Sequence, residues 1–249
     1  MASTNSAPAR FTATLSAELR KARSFPAIPR TLLLGALVVL AATAFGMDQL
    51  ARFRVQGRGG ELAGMSGTDW SLTLLHYGQA IPILLGAWVF GQDLPAGPRR
   101  TAFLATAGRV RLAVAKLLTV ASAALAAGVL CSLAAIMPLL ASGGGPVQLL
   151  PYGWLIGYWV SVALVAAALV AATRSLLLGV VPVLVWTIGA SDLLAARFPF
   201  LGGALDQVFK SAYMQAGAAP PASCLIAAAL QVAAAVAVGI AVHRRRDVR

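Results

Sequence analysis

The sequence predicts an all-α membrane protein with six transmembrane helices, an amphipathic N-terminal helix in the membrane interface, and a partly re-entrant segment before the last span. Three observations predict this fold. Hydrophobic residues fill 59% of the 249 positions and charged residues only 11%, against about 25% charged in a soluble domain. Almost every apolar run reaches the roughly 17 to 25 residues that cross a hydrocarbon core about 30 Å thick. The stretches between the runs are too short to fold as soluble domains of their own.

Residues 1–10 are mostly Ser, Thr, Ala and Pro with one Arg, a composition expected of a mobile terminus. From Phe11, the apolar positions Phe11, Leu15, Leu19 and Ala22 recur at helical spacing, with Arg20, Lys21 and Arg23 on the remaining surface. That period favours an interfacial amphipathic helix over a solvated basic tail. Residues 1–30 are therefore a cytoplasmic tail and interfacial helix, and 31–249 a single transmembrane domain.

The first run, Thr31–Met47, carries Ala42-Thr43-Ala44, which resembles a signal-peptidase site. A patterned basic region of thirty residues ahead of it, and its length, exclude a cleaved signal. After a loop over Asp48–Trp70, further spans are read at Ser71–Gly91, Leu112–Ala141, Tyr152–Ala172, Ser175–Ala190 and Ser223–Val242. Lys116, near the start of the third, can snorkel to the interface. Only Thr173-Arg174 joins the fourth and fifth spans, so these two form an antiparallel hairpin.

Charge fixes the orientation. With the N-terminus inside, the cytoplasmic segments hold Arg10, Arg20, Lys21, Arg23 and Arg30, then Arg99, Arg100, Arg109, Arg111 and Lys116, then Arg174, then Arg244, Arg245, Arg246 and Arg249. That is 15 of the 20 basic residues, so both termini are cytoplasmic. The net charge of +12 is then mostly a matter of topology, and no nucleic-acid partner is needed. The lipid bilayer is the partner this composition requires.

Two segments outside the spans are patterned. Between spans two and three, Gly97-Pro98 opens and Gly108 closes a short helix. Arg99 and Arg100 crowd its first turn, and Phe103, Leu104 and Ala107 give it an apolar side. Between spans five and six, residues 191–222 are too apolar for a plain loop. Leu193, Leu194, Phe198, Phe200 and Leu201 among Gly and Pro fit either short helices dipping into the outer leaflet or a surface cap.

Chemistry is sparse. There is no HExxH, GxSxG or P-loop, no carboxylate pair at helical spacing, and the two cysteines, Cys131 and Cys224, form no CxxC. Catalysis and resident metal or cofactor binding are not expected. The spans as drawn contain no Asp or Glu, which disfavours an ion-coupled carrier. Their polar candidates are His76, Tyr77 and Gln79 in the outer part of span two, Thr187 in span five and Gln231 in span six. His76 and Gln79 share a helical face, which fits a substrate path or an interfacial position equally. Pro82 and Pro182 are candidate hinges, with Gly78 and Gly179 one turn earlier easing each kink. Gly153-x-x-x-Gly157 suits close helix contact.

These residues together resemble the permease subunit of ABC transporters of the ABC-2 type, over nearly the whole chain. The family has an N-terminal elbow helix, six spans with both ends inside, a cytoplasmic coupling loop between spans two and three, and a partly re-entrant segment between spans five and six. Residues 11–25, 91–116 and 191–222 fall at those places. In the coupling loop, Asp93, Thr101, Arg109 and Lys116 match the family's loose pattern, whereas Gln92 stands where an acidic residue is common. The resemblance implies two separate ATPase subunits, carrying ATP and Mg, docked on the coupling helices of two such permeases, identical or different. It also implies export of a drug, antibiotic, peptide or lipid-like substrate across a bacterial cytoplasmic membrane. A glycan is less favoured, because only 7% of residues are aromatic. A non-transporting scaffold or sensor is the alternative.

Overall fold

The computed structural model describes residues 7–56, 66–94, 109–143, 146–190, 197 and 222–245. Every regular element among them is helical. In chain order these are α1 (Ala7–Ser24), α2 (Ala27–Val55), α3 (Gly67–Tyr77), α4 (Ala80–Gly91), α5 (Arg109–Ala141), α6 (Leu149–Thr173), α7 (Leu176–Val185) with a π-turn at Trp186–Ala190, and α8 (Ala222–Arg245). Four segments are long and apolar enough to cross a membrane: Ala27–Phe53, Gly67–Gly91, Val110–Ala141 and Leu149–Thr173. Two apolar helical stretches, Leu176–Ile188 and Ala229–Val242, are shorter. The coupling helix expected over residues 98–108 and the segment expected to be re-entrant, save Arg197 and Ala222, lie outside the described residues.

Two helices outrun the apolar runs that announce them. α2 continues eight residues past Met47, where Asp48 and Arg52 pair at 2.9 Å one turn apart and Met47 and Leu50 are buried near Leu139. α3 starts four residues before Ser71, because Ser66 and Asp69 form a capping box. Ser66 Oγ accepts from Asp69 N at 3.0 Å and Asp69 Oδ2 accepts from Ser66 N at 3.3 Å, satisfying donors that a helix start leaves open.

The kink expected at Pro82 is a full break between α3 and α4. Proline has no N–H for the Gly78 carbonyl four residues back, and its ring crowds that carbonyl. The Ile81 N–H takes it instead at 3.0 Å. Gly78 caps α3, and Gln79 is held in the gap.

α6 is the centre of the packing and touches α4, α5, α7 and α8. Its apolar residues run all round, as a helix enclosed by neighbours requires, and Trp159 on it is fully buried. Close approach uses glycines other than the Gly153/Gly157 pair, which has nothing within 4 Å of a Cβ at either position. Gly86 brings α4 against the α6 backbone, and Gly179 brings α7 against Val170 of α6. The α6–α7 hairpin turns through Arg174, which adopts the left-handed conformation at φ 57° and donates its N–H to Val170 O at 2.9 Å.

Candidate functional site

Two groupings of polar side chains are built into this frame. The first joins α1, the end of α4 and the start of α5. The Asp93 carboxylate accepts from Lys21 Nζ at one oxygen and from Lys116 Nζ at the other. Glu18 Oε2 lies 3.2 Å from Lys116 Nζ, close enough for charge attraction though not aligned as a hydrogen bond. Lys116 Nζ also stands 5.7 Å from the centroid of the Phe90 ring, within cation–π range. Glu18, Asp93 and Lys116 are all buried, and two acids against two bases leave no net charge. Burial raises the Asp93 carboxyl, but Lys116 and Lys21 outweigh it through charge and hydrogen bonds and hold it below its ordinary value.

Lys116 therefore does not snorkel. Its ammonium is satisfied inside the fold by carboxylates from two other segments, and only 2% of the residue is exposed. The sequence alone puts Asp93 and Lys116 in one loop pattern but does not reveal Glu18 or the bridging role of Lys21. Glu18 was legible in principle: it follows Phe11 and Leu15 and precedes Ala22 on one helical stripe, so a carboxylate interrupts the apolar side of α1. Phe25, at the turn into α2, meets Trp88 of α4 edge-on at 6.3 Å, so an aromatic contact accompanies the ionic one. Arg109 opens α5, and Arg99, Arg100, Thr101 and Phe103 lie outside the described residues.

The second grouping centres on Gln79, which is completely buried. Its Nε2 donates to the Thr187 carbonyl at 3.0 Å and its Oε1 accepts from the Tyr158 hydroxyl at 2.5 Å. The Thr187 carbonyl belongs to the π-turn. Pro182 lies one turn before that π-turn, and the Trp186 N–H reaches both the Pro182 and Val183 carbonyls. The gap between α3 and α4 at Gly78–Gln79 and the π-turn at 186–190 thus meet through one amide.

Beside this network, α6, α7 and α8 enclose a cavity of about 380 Å³, within the ~300–1,000 Å³ range of small-molecule sites. Thr187 and Gln231 line it, joined by Tyr158 and Ser161, which sequence reasoning missed because a lone hydroxyl in an apolar helix carries no signal by itself. His76 and Tyr77 do not line it. His76 is buried and meets the Tyr77 ring edge-on at 5.6 Å, and Tyr77 is 66% exposed. Because α3 ends between them, His76 and Gln79 do not share one continuous helical face. Among the described residues, no group of three or more His, Cys, Asp or Glu is placed to hold a metal.

Comparison with protein-family models, curated proteins and solved structures finds no match to this chain.

Proposed function

We propose that the chain is the membrane-spanning permease subunit of an ABC-2-type exporter, driven by a separate ATPase and working as a pair of permease subunits. In this reading six spans cross a bacterial cytoplasmic membrane with both termini inside, α1 is the elbow helix, and residues 92–111 carry the coupling helix. The observation that supports it most is the Glu18–Lys21–Asp93–Lys116 cluster. It ties α1 to both stems of the segment on which a motor would push, so a displacement there moves α1, α4 and α5 together. A loop with unanchored stems would dissipate the same push. The cavity beside Gln79, Thr187 and Gln231 gives such a motion something to act on.

The test is to purify the chain from its native membrane in mild detergent and identify what comes with it. A P-loop ATPase that is retained by the parent chain and lost from Arg99→Glu/Arg100→Glu, with the membrane subunit still folded, is the expected result. A preparation carrying no ATPase sinks the proposal and favours a scaffold or sensor.

A further inference from the structure

The polar atoms at the rim of the cavity are unequally committed, and this restricts what it can hold. The Tyr158 hydroxyl donates to Gln79 Oε1 at 2.5 Å, Ser161 Oγ to the Gly157 carbonyl at 3.0 Å, and Thr187 Oγ1 to the Val183 carbonyl at 2.9 Å. A hydroxyl has one proton, so Ser161 and Thr187 retain only oxygen lone pairs for an occupant. Gln231 is half-buried, and its amide has no hydrogen-bond partner among the described residues, so it both donates and accepts. Among the described residues no charged side chain lines the cavity, and the others that line it are Val, Leu, Ala and Trp.

An anionic group placed here meets lone pairs and no cation, and a cationic group meets no carboxylate. Either is stripped of water without a counter-charge, which is strongly unfavourable. A plain hydrocarbon brings no partner to the Gln231 amide. The occupant that satisfies every group is uncharged, brings one hydroxyl or amide N–H to the rim, and fills the remainder with apolar surface. Ala234 and Val238 of α8 line the cavity and are exposed, so its mouth is edged by apolar side chains that suit an apolar molecule.

We propose that this cavity binds a neutral amphiphile of the long-chain alcohol or acyl-amide class, with its polar end between Gln231 and the hydroxyls of Ser161 and Thr187. Calling that molecule the cargo rests on the transport function proposed above; binding itself does not.

The test uses the full chain in phosphatidylcholine nanodiscs without a motor. The probe is hexadecanol bearing a diazirine in its chain, compared with the corresponding carboxylic acid and the alkane, with crosslinked peptides mapped by mass spectrometry. Saturable labelling of α6, the π-turn and α8 by the alcohol is expected, competed by unlabelled hexadecanol. Gln231→Leu is expected to weaken the alcohol about tenfold, the scale of one lost hydrogen bond, with the carboxylate at about pH 8 reduced at least as far. Ala168→Phe, which fills the cavity, should abolish labelling; because it alters a buried position, the deciding variant is Gln231→Leu, whose half-exposed site tolerates exchange. Equal labelling by all three probes, or alcohol labelling unchanged in Gln231→Leu, overturns the proposal. Saturable labelling in a chain that co-purifies with no ATPase leaves the site standing and removes only the transport function.

Discussion

Asp93 and Lys116, 23 positions apart and on either side of residues 95–108, are joined by a buried ion pair that also holds α1 through Lys21 and Glu18. A buried pair contributes little net stability over an apolar replacement, but breaking one half leaves an uncompensated charge costing about 3–5 kcal/mol. Asp93→Asn, which leaves two ammoniums against Glu18 alone, is expected to lose stability on that scale. Asp93→Asn/Lys116→Met, which leaves one acid and one base, is expected to recover most of it. Thermal unfolding of the purified variants reads this directly. A single variant as stable as the parent shows that the cluster does not anchor α1.

The same cluster sets a pH dependence whose sign follows from Asp93. Its carboxyl is held below the ordinary value of 3.8, so the folded state favours the charged form. The stabilisation is fully present above the unfolded value and is lost as pH falls through the lowered one. Protection of α1 against protease, or its hydrogen exchange, is therefore expected to be flat from about pH 8 to about pH 5. It should decline only below 3.8, and Asp93→Asn should lack that step. A transition near neutral pH that survives in Asp93→Asn assigns the response to another group.

The helical frame was legible because apolar runs of spanning length leave few alternatives. What the sequence hid was governed by contacts between elements. Hydropathy ended the first run at Met47, yet the Asp48–Arg52 pair and the burial of Leu50 carry α2 to Val55. Pro82 announced a kink, but not that Gln79, in the gap it makes, donates to the Thr187 carbonyl of the π-turn. The GxxxG spacing at Gly153 and Gly157 suggested close helix contact, yet within this chain both positions are open, whereas Gly86 and Gly179, with no such spacing, are among the tight contacts. Spacing reports which residues share a helix face; it does not report what that face meets.

Those glycines give a paired prediction. A Cβ at Gly86 would overlap the Ala163 carbonyl oxygen and lie 3.0 Å from the Ala163 Cα, atoms that cannot rotate away. Gly86→Ala is expected to push α4 from α6 and cost about 1–3 kcal/mol, the ordinary range for overpacking. Gly153→Ala has open space around it and is expected to stay within about 0.5 kcal/mol of the parent. Thermal unfolding of both variants at low protein concentration checks this. A comparable loss at Gly153 means that another surface, such as a second copy of the chain, packs there.

Gln79 supplies the last prediction, because its two amide atoms join the gap between α3 and α4 to the π-turn and to Tyr158 of α6. Gln79→Leu removes the donor to the Thr187 carbonyl and the acceptor of the Tyr158 hydroxyl. A buried polar group left without its partner costs about 1–3 kcal/mol, so the variant is expected to lose at least that much. Tyr158→Phe removes only one of the two bonds and takes the hydroxyl with it, so its effect should be smaller. If the residues act as one network, the combined Gln79→Leu/Tyr158→Phe variant is less damaged than the sum of the singles, with a coupling of about 0.5–3 kcal/mol. The discriminating readout is hydrogen exchange at the π-turn, residues 186–190. Gln79→Leu should accelerate it and Tyr158→Phe should leave it nearly unchanged, because Gln79, and not Tyr158, donates to the Thr187 carbonyl. Strict additivity with unaltered exchange at the π-turn would reduce Gln79 to local packing and separate the break in span two from the cavity wall.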